Sequence, residues 1–344
     1  MTPGAAFAAL PGRNADGHDF LAAAVEAGAA AAVVQADREA KWRPIAERLP
    51  LVVVPDVRAS LGRLAAAVHG EPSRRLRMIG VTGTDGKTTS TQLVAHVLDA
   101  CGLGCGFLSS AGFDTGRGVE GNATHMTTLE ATSIQELLAA AASSGRLTMV
   151  VEASSEGLAQ HRLEGCEFDM AVFTNLTRDH LDFHGTMENY LAAKGILFEM
   201  LDRSTYKAFP RAAVLNADDP ASEYLRGRSR APAITYGLRE SADFRARDVR
   251  PDGHGIRFSI RAADATFDAY LPLIGAFNAY NALAALAVAS VQGVALEAAT
   301  ESLASFPGVP GRLERLECGQ PFAVFVDIAS TPAAFENVLL ALRP

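Results

Sequence analysis

Three runs in the middle of the chain, "LTMVVEAS", "DMAVFTNL" and "AAVLNADD", are apolar without polar alternation. That pattern predicts short strands covered by helices on both faces, as in a parallel sheet. A fourth stretch, "IGVTGTDGKTTSTQLV", opens apolar, turns through Gly80, Gly83 and Gly86, and runs on into the amphipathic "STQLVAHVLDA". It reads as strand, glycine loop and helix. Upstream, "DGHDFLAAAVEAGA" predicts a helix, "AAVVQ" and "LVVVPD" two strands, and "VRASLGRLAAAVHG" a further helix. Downstream, "DFRARDVRPDGHGIRFSIRAADATFDAYLPL" alternates around a D-G turn, the signature of a small antiparallel sheet. "NAYNALAALAVASVQG" returns to helix, and "FPGVPGR" is a proline-glycine hinge. One strand, "FAVFVD", and one helix, "PAAFENVLLALR", follow it.

The expected fold class is therefore α/β. A small N-terminal α/β domain is expected over residues 1–72, ending at Pro72 and the basic linker "SRRLR". A central parallel-sheet domain with a glycine-rich phosphate loop and a small antiparallel sheet is expected over 73–309, and the start of a third α/β domain over 310–344. A length of 344 residues suits two domains and a fragment. One strand and one helix cannot close a core, so the last segment is expected to leave Phe325, Val338 and Leu339 poorly covered.

Composition narrows the partners. A formal net charge of −8 argues against nucleic acid held through phosphate contacts. The run "FLAAAVEAGAAAAVV" is interrupted by Glu26 and is rich in alanine, so it reads as buried helix, turn and strand rather than a membrane span. No basic segment followed by an apolar one opens the chain, and a cytoplasmic protein without a signal peptide is expected. Cys101, Cys105, Cys166 and Cys318 read as reduced, mostly buried small side chains.

The glycine loop carries the first chemistry. A loop ending at a helix N-terminus leaves backbone N–H groups that a phosphate can satisfy. Lys87 adds a point charge and Thr88 a hydroxyl for Mg²⁺. The loop is shorter than a strict Walker pattern, because Val81 stands where that pattern requires glycine. Three further groups follow predicted parallel strands or their helices, where open α/β sheets place ligands. Glu152 ends one strand, His180 lies in "TNLTRDHLDFHG", and Lys194 lies on the helix "MENYLAAKGILFEML". A carboxylate and an imidazole can hold a metal that bridges phosphates and substrate.

The motifs "GTDGKTT", "VEASSEGLAQHRL", "FTNLTRDHLDFHG", "YLAAKGILF", "GAFNAYN" and "PGRLE" occur in that order. In this the chain resembles the Mur ligase superfamily along essentially its whole length. The versions "TTLEAT", "TRDHLDFHG" and "QHR" are those of the member that extends UDP-N-acetylmuramoyl-L-alanyl-D-glutamate by a third amino acid. The resemblance implies an ATP-dependent ligase that uses Mg²⁺ and an acyl phosphate to join that nucleotide-sugar dipeptide to an amino acid. It implies that Gly83, Thr84, Asp85, Gly86, Lys87, Thr88 and Thr89 form the phosphate loop, with Lys87, His180 and Lys194 catalytic. Thr88, Glu152 and His180 match metal-side positions, and Lys194 matches a carbamylated lysine. Asn278 and Asn281 match the adenine side, and Arg312 a hinge contact to ATP. Thr127, Thr128, Ser154, Gln160 and Arg162 match residues that hold the nucleotide-sugar peptide, and Arg13, Asn14 and Ala15 the stretch at its uridine end.

The chain departs from the pattern at several positions. Asp85 stands for asparagine, Glu156 for histidine in "SSEG", and Ile328 and Ser330 for tyrosine and histidine in "DIASTP". The chain opens after the family's uracil-binding "DSR" segment and stops early in the third domain, so as a protein in its own right it is expected to bind both nucleotides but ligate slowly. Two other functions suit the same motifs. One is a protein that binds the nucleotides without completing the reaction. The other is a sibling ligase of the folylpolyglutamate or cyanophycin type, against which "QHR" and "TTLEAT" argue.

Overall fold

In the computed structural model, which describes residues 2–12, 15–239 and 241–343, the phosphate loop leaves a strand with parallel neighbours on both sides. Strand Arg77–Thr82 pairs with Thr148–Glu152 on one flank and with Met170–Phe173 on the other. Cys105–Leu108 lies outside the first neighbour, and Ala212–Asn216 and Ala233–Gly237 outside the second. The chain thus builds one side of the sheet and then crosses the central strand. Ligands gather at the carboxyl ends of the strands around such a crossing.

Alternation sorts the core onto two faces. Ile79, Val81, Val150, Val172 and Val214 pack with helices Lys87–Ala100 and Asn278–Val291. Met78, Met149, Val151, Phe173 and Leu215 pack with helices Ala131–Ser143 and Met187–Arg203. Both faces are dry, which is why these strands lack polar alternation.

The antiparallel segment differs from its expectation in one respect. Strands Phe244–Pro251, Ile256–Ala262 and Ala265–Leu271 form the expected antiparallel set, but it is not a separate sheet. Tyr236 and Gly237 pair in parallel with Phe244 and Arg245, so the set continues the central sheet. At the opposite edge, short strands Gly112–Asp114 and Val119–Gly121 add antiparallel pairs with no apolar signal of their own. Among the described residues the whole is an eleven-stranded sheet.

The N-terminal unit is a three-stranded parallel sheet of Ala6–Ala8, Ala31–Gln35 and Leu51–Val54. Its first strand, "AFA", is too short and too alanine-rich to announce itself. Helix Val57–Val68 leads from this unit to the central sheet. After the hinge, Val324–Val326 pairs with a second strand, Glu314–Leu316, where one strand was expected. Helix Pro332–Ala341 follows, with Phe335, Leu339 and Leu340 exposed and Phe325 and Val338 half-buried. All four cysteines are free thiols. Among the described residues no helix is long and apolar enough to cross a membrane.

A buried ion pair ties the linker to the central sheet. Lys207 Nζ lies 2.7 Å from Asp169 Oδ2, and it donates to the carbonyls of Ser73 and Leu76 at 3.0 Å and of Glu167 at 2.6 Å. Asp169 Oδ2 also accepts from the Met78 amide at 2.8 Å. Burial pushes the Lys207 ammonium down and the Asp169 carboxyl up, so for both partners desolvation outweighs their mutual attraction. Such a pair adds little net stability, yet removing one member strands the other. Lys207→Ala is therefore expected to destabilise the protein by about 3–5 kcal/mol in urea unfolding; a loss below about 1 kcal/mol would show that Asp169 finds water or another partner.

Candidate functional site

The phosphate loop is held by the segment that follows strand Met170–Phe173. Thr84 N–H donates to the Asn175 carbonyl at 2.8 Å, and Asp85 N–H to Asn175 Oδ1 at 3.0 Å. The Asp85 carbonyl accepts from Thr174 Oγ1 at 2.7 Å and from Asn175 Nδ2 at 3.1 Å. Thr84 Oγ1 accepts from the Thr177 amide at 3.0 Å and lies 3.1 Å from the Tyr190 hydroxyl. Gly83 has φ +151°, and a Cβ there would collide with Thr174 Oγ1. Gly86 has φ +79° and abuts Asn281 Oδ1. Both glycines are demanded by conformation and by close approach.

Helix Lys87–Ala100 starts at Gly86 without a side-chain cap. Its first N–H groups are therefore open to an anion, and the helix dipole favours one there. Lys87 Nζ donates to the Thr84 carbonyl at 2.7 Å. Burial lowers its pKa, although Glu152 and Asp85 oppose the shift. Thr89, one position on, is buried in the helix.

Thr88 and Glu152 meet. The Thr88 hydroxyl donates to Glu152 Oε1 at 3.1 Å and lies 2.8 Å from Ser110 Oγ. Glu152 Oε2 accepts from the Ser110 amide at 2.8 Å. Arg312 reaches the same hydroxyl from the hinge, with Nη2 3.2 Å from Thr88 Oγ1. His180 turns elsewhere. It sits in the left-handed region at φ +50°, with Nδ1 3.5 Å from Glu156 Oε1 and Nε2 3.3 Å from Asp179 Oδ2. Among the described residues no group of three or more His, Cys, Asp or Glu side chains is arranged to hold a metal. The donors that do converge, a hydroxyl and a carboxylate beside a phosphate loop, are hard oxygens suited to Mg²⁺. That ion takes few protein ligands and fills its shell with water and phosphate oxygens.

Lys194 is 1% exposed. Its Nζ donates to the Gly83 carbonyl at 2.7 Å and lies 4.0 Å over the Tyr190 ring. Burial, and then the nearby Lys87 charge, hold it well below the usual lysine range. Burial thus favours the neutral amine, which is the nucleophilic form. His184 is likewise held low, first by burial and then by Lys194 and His180, and its Nε2 lies 2.9 Å from Ser155 Oγ.

Asn278 and Asn281 lie beneath the loop. Asn281 Nδ2 donates to Asn278 Oδ1 at 2.9 Å, and Asn281 Oδ1 accepts from Ser90 Oγ at 2.9 Å. Asn278 Nδ2 is spent on the Ile274 carbonyl at 2.9 Å. As placed, the two amides buttress the start of the loop helix.

The other expected binding residues form a patch beyond Glu152. Thr128 Oγ1 lies 3.0 Å from Ser154 Oγ and donates to the Glu152 carbonyl at 2.9 Å. Ser154 caps helix Ser155–Ala159 by accepting from the Gly157 amide at 3.1 Å. Arg162 donates to the Thr128 carbonyl at 2.9 Å and to Gln160 Oε1 at 2.8 Å. Thr127 is half-buried beside Thr128. Gln160 also faces a cleft of about 660 Å³, whose other walls include Pro11 and Gly12 of the N-terminal unit and Glu156 and Phe183 of the central one. Ala15 is exposed near it, with its carbonyl accepting from the Gly12 amide at 3.0 Å. Arg13 and Asn14 lie outside the described residues.

Sequence reasoning passed over Asn175, Tyr190 and Ser110. Tyr190 had a usable signal, since it stands four residues before Lys194 on one helix face. Ser110 had none, because a single serine after a strand is ordinary.

Comparison with known proteins gives this geometry a context. Residues 1–69 match the description "Mur ligase family, catalytic domain", and residues 81–289 match the Mur ligase middle domain. A UDP-N-acetylmuramoyl-L-alanyl-D-glutamate–2,6-diaminopimelate ligase of Geobacillus thermodenitrificans is 41% identical over 343 residues, covering 100% of this chain and 68% of that protein. A UDP-N-acetylmuramyl-tripeptide synthetase of Roseiflexus is 44% identical over 352 residues, with coverage of 100% and 68%. A solved UDP-N-acetylmuramoyl-L-alanyl-D-glutamate–2,6-diaminopimelate ligase superposes with a TM-score of 0.80 at 31% identity, over 99% of this chain and 68% of that one. A Mycobacterium tuberculosis folylpolyglutamate synthase complexed with ADP shares the fold alone, with a TM-score of 0.66 at 22% identity over 83% of this chain and 69% of that one.

The buttress under the loop is testable without any ligand. Asn281→Ala leaves the buried Ser90 hydroxyl and the Asn278 amide oxygen without their partner, so the urea unfolding free energy is expected to fall by about 1–3 kcal/mol. An unchanged midpoint and slope would mean that Asn281 does not support the loop.

Proposed function

Since the chain belongs to the Mur ligase family of ATP-dependent amino-acid ligases, we propose that it adds the third amino acid to UDP-N-acetylmuramoyl-L-alanyl-D-glutamate in peptidoglycan synthesis. The observation that carries this reading is the convergence of an uncapped helix start, Lys87, Thr88 and Glu152 at the carboxyl end of the central strand. The identity of 41–44% along the whole of this chain, which spans 68% of each of those two relatives, supports the choice of substrate. We assign the nucleotide-sugar end to residues 1–72, ATP to 73–309, and the reaction to the cytoplasm.

The proposed chemistry is acyl transfer through a phosphorylated carboxylate. The substrate carboxylate attacks the γ-phosphorus of ATP, ADP leaves, and the amine of the incoming amino acid then displaces phosphate from the acyl phosphate. The loop N–H groups and Lys87 hold the phosphates in line and balance charge on the group in transfer. Thr88 and Glu152 would hold Mg²⁺, which when bound supplies further positive charge there. The neutral Lys194 amine would add to CO₂ through its nitrogen and release a proton to form a carbamate, which places an anion beside Gly83 in place of an amine. Thr128, Ser154, Gln160 and Arg162 orient the peptide end. A folylpolyglutamate-type reaction has less support, since that likeness is one of fold and covers less of the chain.

The reading is tested by phosphate release from ATP in the presence of the nucleotide-sugar dipeptide and diaminopimelate, lysine or another amino acid. Release that requires the dipeptide and one of these amines is expected; equal release without the dipeptide would overturn the substrate assignment. Lys87→Ala is expected to weaken ATP binding in calorimetry by roughly 10- to 150-fold, the equivalent of about 1.5–3 kcal/mol for a charge-assisted contact. Unchanged affinity would remove Lys87 from the phosphate site. Lys194→Ala activity is expected to be low and partly restored by acetate or formate. An intact-mass spectrum showing no carbamate on wild-type protein in bicarbonate buffer, together with no rescue, would refute the modification.

A further inference from the structure

We infer that Arg58 is a further substrate-binding residue and receives the pyrophosphate of the nucleotide-sugar. The inference rests on the proposed substrate and adds a residue that no motif marks. Arg58 stands in the first turn of helix Val57–Val68, half-buried, and lines the same cleft as Pro11, Gly12 and Gln160.

Covalent order supplies the first argument. In the ligand the pyrophosphate joins the uridine to the sugar and its peptide. In the cleft, Pro11 and Gly12 lead into the stretch assigned to the uridine end, and Gln160 belongs to the patch assigned to the peptide end. Arg58 shares the cleft with both, so its guanidinium is available to the middle of a ligand that spans them.

Charge supplies the second. The other ionisable side chains lining this cleft are Glu156 and Asp182, both carboxylates that repel phosphate. Arg58 is the one cation among the described lining residues. It is also uncommitted: no ion pair or hydrogen bond involves its side chain among the described residues. Other arginines of the same helix, the linker and the peptide-end patch are paired. Arg63 pairs with Glu164 at 3.4 Å and Arg74 with Glu167 at 2.8 Å. Arg162, the cation the motifs marked, donates to Thr128 and Gln160 and lies 3.5 Å from Glu130. The start of the helix offers no substitute charge, because Asp56 already caps it by accepting from the Ala59 amide at 3.0 Å. A planar guanidinium with a free fork of donors is the side chain best matched to a phosphate. The two carboxylates that line the same cleft suit sugar hydroxyls, from which they can accept.

The test titrates the 344-residue protein with UDP, and with uridine as the phosphate-free control, in wild type, Arg58→Ala and Arg58→Lys, with thermal melting to confirm folding. Wild type is expected to bind UDP at least tenfold more tightly than uridine. Arg58→Ala should lose most of that difference with uridine affinity unchanged, and Arg58→Lys should keep part of it. Equal UDP binding by wild type and Arg58→Ala overturns the assignment while leaving the ligase reading intact. Equal weakening of UDP and uridine also overturns it, since that marks a change in cleft shape rather than a lost phosphate contact. Failure of wild type to bind either ligand defeats the substrate reading itself, and the role of Arg58 with it.

Discussion

The close approach of Gly83 to Thr174 governs the arrangement of this molecule. The phosphate loop leaves the central strand and is at once stitched to the segment after the neighbouring strand, through Thr174, Asn175 and Thr177. No side chain fits at Gly83, because the Thr174 hydroxyl lies where a β-carbon would be, with the Asn175 backbone just behind it. The bonds spend the N–H groups of Thr84 and Asp85 and the Asp85 carbonyl on protein, and the loop helix begins without a side-chain cap. A rigid loop with an open helix start needs no reorganisation to receive phosphate, which is the condition under which fixed dipoles contribute most. Asn281 supports the same helix from below, so a residue expected on the ligand side also acts as part of the frame.

Around that frame the structure gathers charge at a cost. Lys87 and Lys194 are both depressed by burial; the Lys87 charge further disfavours the proton on Lys194, and the Arg312 charge that on Lys87. Asp85 is raised by burial and by Asp179. Backbone carbonyls contact both amino groups, and the Tyr190 ring lies under that of Lys194. These partners are weaker than phosphate or metal-bound oxygens. Binding of a nucleotide therefore exchanges modest contacts for strong ones, and strain of this kind clusters at functional sites.

Two positions show how a departure from the family pattern is accommodated. Glu156, in place of histidine, does not lie idle in the helix Ser155–Ala159. It faces His180 and lines the cleft. Asp85, in place of asparagine, keeps the loop's backbone bonds intact, because those bonds run from its N–H and carbonyl to Asn175 and Thr174 rather than from its carboxylate. Backbone-mediated architecture tolerates a change of side chain that a side-chain network would not.

The sequence by itself determined the parts whose physics is local. Fully apolar strands, helix periodicity, the glycine loop and the lysine behind it all follow from residues near one another, and the family was legible in the order of motifs. Four things were decided only in three dimensions. The antiparallel segment joins the central sheet through two residue pairs, Tyr236 with Phe244 and Gly237 with Arg245, a choice of edge that alternation cannot encode. The strand Ala6–Ala8 exists because Ala31–Gln35 offers it a partner, not because three residues prefer extension. Thr88 and Glu152, 64 positions apart, meet because the strand that feeds the loop, Arg77–Thr82, is the neighbour of the strand that ends at Glu152, while His180 is turned toward Glu156 by a left-handed backbone that "TRDH" does not announce. Arg58 belongs to a helix that looked purely structural, and only the packing of one unit against the other puts its charge beside Gln160. Periodicity and spacing are properties of the chain, whereas a site is a property of which surfaces the sheet brings face to face.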